Sequence, residues 1–265
     1  MSKRALARRP ALLITVALGL ALSTGAGLEA QERQLVGDRP DFTESTETVE
    51  LGHVQLETGA TFTRLPGDTE EVTVGEALLR VGLSPSWELR VGAGSFVDVS
   101  SDAGSADGLD DASLGFKVKL FAESGSIPDL ALLFGSSLPT GSSELTEDEA
   151  VPEVRLAAAW TLSERLGIGA NLGWARAVDG DRRYDELSWS VAAGLELEDD
   201  WAAFAELYGF SEEERGGDPT LYADAGVTRL IHFNLQLDAR IGLGLVDGGG
   251  EIADWFAGVG AVVRW

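Results

Sequence analysis

The sequence predicts an all-β fold, a 12-stranded antiparallel up-and-down transmembrane β-barrel. Three observations carry this. Hydropathy alternates with a period of two from Gly52 to the end, the connections alternate between long and short, and the tryptophans gather at the ends of the alternating segments. Composition agrees. The 265 residues carry a formal charge of −24 with 33 glycines, two histidines and no cysteine. So acidic a chain offers no broad basic surface for nucleic acid, and without cysteine there is no disulfide, thiol nucleophile or Cys-ligated metal.

The chain opens with a basic head, Lys3, Arg4, Arg8 and Arg9, then a twelve-residue apolar stretch from Ala11 to Leu22 and small residues up to Ala30. Residues 1–30 are therefore expected to be a secretory signal peptide, cleaved after Ala26 or Ala30 and too short to span a membrane as a helix. Residues 31–51 show no strand pattern, and 52–265 form the expected barrel.

Twelve segments alternate, near 53–64, 75–83, 87–97, 111–121, 129–138, 153–162, 165–175, 186–197, 201–210, 221–230, 235–245 and 254–265. Successive strand side chains face opposite ways, so each segment has an apolar face and a polar or glycine face. Thus Trp87, Leu89 and Val91 alternate with Glu88, Arg90 and Gly92, and Leu114, Phe116 and Val118 with Gly115, Lys117 and Lys119. The segment 129–138 has an ambiguous phase because Leu132, Leu133 and Phe134 are consecutive. A tilted strand crosses a bilayer in about 9–11 residues, the length of most of these segments.

The long connections fall near 65–74, 98–110, 139–152, 176–185, 211–220 and 246–253, and the intervening ones are mostly tight, as at Ser84–Ser86 and Ser163–Glu164. Short periplasmic turns and long external loops give a membrane barrel this arrangement. The long connections are acidic, with Arg176, Arg182, Arg183 and Arg215 their four basic residues. Asp98, Asp102, Asp107, Asp110 and Asp111 are the densest cluster. Their spacing matches no calcium loop, so the rim is expected to be solvated, repelling anions and attracting cations.

All seven tryptophans lie in the apolar phase. Trp87, Trp160, Trp201 and Trp265 stand beside short turns, and Trp174, Trp189 and Trp255 near the long-loop ends. They are expected to form the interfacial girdle of the barrel. Arg229 is the charge found in the lipid phase, near a short turn where it can snorkel to the interface.

The inward phase holds both signs: Glu57, Glu76, Arg80, Glu88 and Arg90 early in the chain, then Lys117, Lys119, Glu153 and Arg155. Glu196, Glu206, Asp238, Arg240 and Arg264 complete the expected lumen lining. They form a selective lining, a cross-strand network of ion pairs, or both. Glycines such as Gly59, Gly82 and Gly260 leave room on the same face. That room is expected to take the segment 31–51, with Arg39, Asp41, Thr43 and Glu44 pairing to lumen charges as a plug; the alternative is a periplasmic tail.

No catalytic constellation emerges. His53 starts the first strand and His232 sits in a short turn, and neither is placed for a lipid hydrolase. Gly242–Gly244 and Gly258–Gly260 are strand glycines with no following helix. No cofactor and no metal is expected.

The stretches Asp38-Arg39-Pro40-Asp41-Phe42-Thr43-Glu44-Ser45 and Gly52-His53-Val54-Gln55-Leu56-Glu57-Thr58-Gly59 resemble the opening of the family labelled "putative MetA-pathway of phenol degradation". The likeness continues at Gly108–Asp111 with Leu114–Lys117, at Leu138–Gly141, Asp224–Thr228, Asn234–Asp238 and Trp255–Gly260. The family usually has Gly at Asp110, Tyr at Val118 and Arg229, and a terminal Phe at Trp265. The resemblance implies an outer-membrane barrel that passes small, including aromatic, molecules.

Together these features lead us to expect a bacterial outer-membrane channel, exported through its signal peptide, for passive diffusion of small solutes through a narrow, ion-paired lumen. A non-conducting structural or adhesive barrel is the alternative. The expected partners are outer-membrane lipid and lipopolysaccharide, the barrel-assembly machinery and small-molecule solutes, with no nucleic acid.

Overall fold

The computed structural model describes residues 35–265, apart from 103, 199, 250 and 251. The signal-peptide reading of 1–30 and the first four residues of the expected plug lie outside them. Among the described residues the regular structure is all strand. The N-terminal half contains β1 (Val54–Leu65), β2 (Thr69–Ser84), β3 (Trp87–Gly92), β4 (Phe96–Ser101), β5 (Gly104–Leu109) and β6 (Ala112–Phe121). Next come β7 (Asp129–Leu138), β8 (Val151–Thr161), β9 (Leu166–Asp179) and β10 (Arg182–Glu196). The chain finishes with β11 (Trp201–Phe210), β12 (Thr220–His232), β13 (Leu235–Asp247) and β14 (Trp255–Arg264).

Twelve of these strands, β1 to β3 and β6 to β14, pair in antiparallel order and close into a barrel through β1 and β14. The seam runs from Gln55 opposite Arg264 to Arg64 opposite Trp255. At its end the Val54 amide donates to the Trp265 carbonyl (3.0 Å) and the Trp265 amide to Val54 (2.8 Å). Closure leaves no open sheet edge in the wall, which is what lets a sheet stand in lipid.

The structure departs from the sequence expectation at the long-loop end. The segment expected as one strand over 87–97 breaks after Gly92. β3 pairs with the lower part of β2, and β4 resumes at Phe96 against Glu70–Val74. The connection expected near 98–110 is itself a hairpin, β4 with β5. The connections expected near 65–74 and 176–185 are also mostly strand, for β1 and β2 meet over Pro66–Asp68 and β9 and β10 turn through Gly180 and Asp181. Opposite the break, β2 adjusts at Gly75, whose φ of +110° is open to glycine and closed to other residues.

The outward face is apolar. Trp87, Trp174, Trp189, Trp201, Trp255 and Trp265 are exposed, and Trp160 is half-buried. On β10 the strand descends eight residues from Trp189 to Leu197, whose amide bonds to the Trp201 carbonyl. At about 3.4 Å per residue and a tilt of about 40° this separates the two ring levels by roughly 20 Å along the barrel axis, close to the height of a lipid-facing band. Arg229 points outward beside the short turn, its guanidinium carbon 5.2 Å from the centre of the Trp201 ring. The phase of β7 is resolved by burial: Ala131 and Leu133 face inward, with Leu132 and Phe134 on the other face.

The inside is polar and buried. Arg80, Lys117, Gln55, Glu57 and Glu88 are among the largest side chains with less than 2% exposure. Charged groups survive such burial when paired and hydrogen-bonded, and the partners come in part from outside the wall.

Candidate functional site in the lumen

Residues 35–50 carry no regular structure and lie against the inner wall. Glycines set where they fit. Gly59 and Gly260 are register partners across β1 and β14. A Cβ on either would stand 2.3 Å from the Arg39 guanidinium. At Gly82 a Cβ would stand 1.9 Å from the Glu50 carbonyl oxygen.

On one side the wall supplies three cations and two anions: Arg80 on β2, Arg90 on β3 and Lys117 on β6, with Glu57 on β1 and Glu88 on β3. Arg80 and Arg90 are register partners, a like-charge pair that is unfavourable unless an anion joins it. Asp38 is that anion. Its Oδ2 lies 2.5 Å from Arg90, 2.8 Å from Lys117 and 3.1 Å from Arg80. The Asp38 carboxylate also accepts from the Ser45 hydroxyl (2.6 Å), and the Asp38 amide donates to Glu57. Arg80 forks onto Glu88 and reaches Glu57 at 2.8 Å. The Glu44 carboxylate receives two bonds from Arg90 Nη2 at 2.9 Å, Glu47 pairs with Lys119 (2.6 Å), and the Val49 amide donates to Glu88 (2.8 Å).

Arg39 spans toward the seam, donating to Glu76 at 2.5 Å and reaching Asp238 at 3.4 Å. The Phe42 amide donates to Glu206 on β11 (2.7 Å), and the Thr43 hydroxyl bonds to Glu206 and sits 2.7 Å from the Ser190 hydroxyl. Asn171 on β9 pairs with the backbone of Glu44 in both directions, at 2.8 and 3.1 Å. The Phe42 ring stacks on Tyr208 with 4.5 Å between centroids, Tyr208 stacks on Tyr222 at 5.0 Å, and Arg155 lies 4.7 Å over Phe42.

Two cavities flank the segment. One of about 430 Å³ lies at the short-turn end, lined by Arg39, Pro40, Asp41, Arg165, Glu196 and Phe204 among others. Another of about 260 Å³ includes Glu44, Arg90, Ser113, Glu153 and Arg155. The segment thus bridges the lumen, from Arg80, Arg90 and Lys117 on one side to Asn171 and Glu206 on the other.

Of the residues singled out from sequence, Glu57, Arg80, Glu88, Arg90 and Lys117 meet in one buried network around Asp38, and Glu76 and Asp238 meet at Arg39. Glu206 meets Thr43. Lys119 joins Glu47, Arg155 caps Phe42, and Arg240 lies 5.3 Å over Phe256. Glu153 and Glu196 are exposed cavity-lining groups, and Arg264 sits at the short-turn end, its amide bonded to Asn234 (3.0 Å). Asp38 and Asp224 were not among the candidates. Asp224 shares the inward phase with Tyr222 and Gly226, and that parity was the available signal. Gln55, Asn171 and Ser190 carry no charge, so a search by charge passes over them.

The family model described as "Putative MetA-pathway of phenol degradation" matches residues 37–265. Among solved structures, an outer membrane channel from Pseudomonas putida F1 is similar in fold at 14% identity, with a TM-score of 0.64 over 83% of this chain and 98% of that one. The NanC porin is similar at 8% identity, with a TM-score of 0.54 over 79% of this chain and 98% of that one. No curated protein matches the sequence.

Proposed function

The chain belongs to that family, and from this premise we propose that it is an outer-membrane channel through which small solutes diffuse passively, with residues 35–50 as the constriction of a narrow, ion-paired lumen. The observation that carries the proposal is Asp38 bonded to Arg80, Arg90 and Lys117 of the wall, with open cavities on either side of the segment. A segment held by side chains rather than by a strand ladder can shift without breaking the barrel, and its removal leaves a water-filled path. The fold likeness to an outer membrane channel and a porin supports the same reading. Aromatic faces at Phe42, Tyr208 and Tyr222 suit small hydrophobic or aromatic solutes as cargo. Outer-membrane lipid and lipopolysaccharide would meet the tryptophan bands, and the barrel-assembly machinery would insert the chain after export.

Single-channel conductance in planar bilayers tests this, comparing the chain without residues 1–30 with one that also lacks 31–50. Steps that grow on deletion support a constricted pore. Absence of steps from both folded forms leaves a structural or adhesive barrel.

A further inference from the structure

The cavity of about 260 Å³ on the long-loop side of residues 35–50 has two charged edges that differ. At one, Glu44 and Arg90 satisfy each other through two bonds of 2.9 Å. At the other stand Glu153 and Arg155, both on β8. Among the described residues Arg155 meets no carboxylate at ion-pair distance, and Glu153 meets no cation. Arg155 is drawn elsewhere. Its Nη1 donates to the Phe42 carbonyl (3.2 Å), and its guanidinium carbon lies 4.7 Å over the Phe42 ring. That hold keeps the guanidinium from closing on Glu153, which is left exposed.

Two residues apart on a strand, Glu153 and Arg155 both face inward with Cα atoms about 6.7 Å apart. In register, Glu153 has Gly135 on β7 and Ala175 on β9, so no long side chain there covers its carboxylate. Arg155 has Gly173 on β9, where a Cβ would stand 3.7 Å from Arg155 Nε. Glu186 on β10 shares the Glu153 row beyond Ala175 and makes no ion pair with Arg155. Leu78, Leu133 and Gly115 give the inner lining an apolar part, and Ser113 adds a hydroxyl.

An open cation beside an open anion is complementary to a solute that carries both charges close together. A solute with one charge, of either sign, meets repulsion from one of the two groups. In an α-amino-carboxylate the nitrogen and the carboxyl carbon are about 2.5 Å apart. A bond of about 2.8 Å at each end brings the span to about 8 Å, the scale of the Glu153–Arg155 separation. The guanidinium offers the carboxylate a two-pronged donor. The cavity holds the equivalent of about nine waters at about 30 Å³ each, so the molecule is small.

We propose that this cavity is a binding site for small α-amino-carboxylate zwitterions in transit. Arg155 takes the carboxylate, Glu153 the ammonium, and Leu78 and Leu133 the apolar side chain. The site names a cargo for the channel proposed above and rests on that reading.

The test is entry of labelled alanine into vesicles carrying the chain without residues 1–30. It is compared with lactamide, the uncharged isomer of alanine, and with propionate and propylammonium, which carry one charge each. Alanine entry should saturate with concentration and exceed that of the other three several-fold. Arg155→Gln and Glu153→Gln should each bring the alanine-to-lactamide ratio down to near one. The Glu153 side chain bonds to no described residue, so that variant still reports if Arg155→Gln shifts the segment. Equal entry of alanine and lactamide, a ratio that survives Glu153→Gln, or faster entry of either singly charged solute overturns the site and leaves the channel standing. No entry of any of the four, in folded protein, overturns the channel reading and the site with it.

Discussion

Arg80 and Arg90 face each other across β2 and β3, and one oxygen of Asp38 touches both guanidinium groups. A wall built with two adjacent arginines is incomplete without that carboxylate, since breaking a buried ionic group by removing one partner costs about 3–5 kcal/mol. Asp38→Asn should therefore unseat the segment more than it disturbs the barrel. Expected outcomes are larger conductance steps and new protease cleavage within 35–50, with the strand content by circular dichroism unchanged. A chain whose segment stays protected would contradict this role for Asp38.

The inner-face glycines should differ in cost according to what they face. At Gly82 an added methyl meets the backbone of Glu50, which cannot swing aside, so Gly82→Ala should lower stability by about 1–3 kcal/mol. At Gly59 the added methyl meets the far end of Arg39, which can rotate away. Gly59→Ala should thus spare the backbone, and its cost should come from freeing Arg39 from Glu76 and Asp238. Gly194 has nothing within 4 Å of its Cβ, and Gly194→Ala should stay within about 0.5 kcal/mol. Urea unfolding in lipid vesicles ranks the three.

Asp111 pins the connection between β7 and β8 by accepting from the amides of Thr140 (2.9 Å), Gly141 (2.8 Å) and Glu147 (3.1 Å). Burial alone would raise its carboxyl. The bonds from Gly141, Thr146, Glu147 and Thr140 outweigh that and hold it below the ordinary carboxylate range. A folded value below the unfolded one means the tether is complete above about pH 4 and is lost as pH falls through the lowered folded value. Pepsin should cut within 139–150 more readily in Asp111→Asn than in the unmodified chain at about pH 4, and the difference should shrink at lower pH.

The outward face should tolerate a charge at its edge and reject one at its middle. Arg229→Ala removes a side chain that lies over Trp201 at the edge and should cost little, under about 1 kcal/mol. Leu207→Arg places a guanidinium mid-strand among lipid tails, and about 2–4 kcal/mol is expected there. Refolding yield into vesicles measures both.

The barrel was legible because lipid enforces the code: a strand inside the bilayer must alternate, and β13 does so from Leu235 to Leu245. Above the membrane that enforcement lapses. The upper parts of β1, β2, β9 and β10 and the hairpin β4–β5 have water on their outer face, so Thr69–Thr73 or Ser100–Ser105 read as loop. The break at 93–95 was hidden because Ala93 and Gly94 keep the phases of Val91 and Gly92, and the reversal shows only at Ser95 and Phe96. Inside the barrel, charge pointed to Arg80, Lys117 and Glu206, while their pairing depends on register, which no local pattern encodes. Asp38 and Asp224 were in view as parts of a family-like stretch, yet their chemistry emerges once Arg90 and Glu206 are known to stand beside them.

The seam between β1 and β14 joins the two ends of the barrel chain, and residues 35–50 run directly into β1. Their contacts reach β2, β3, β6, β9, β11 and β13, strands spread around the circumference. A segment tied to one edge of the seam and bonded to strands on both sides of it is a cross-brace: its ion pairs and hydrogen bonds link strands that share no ladder, so the ring is held across its interior as well as around its circumference.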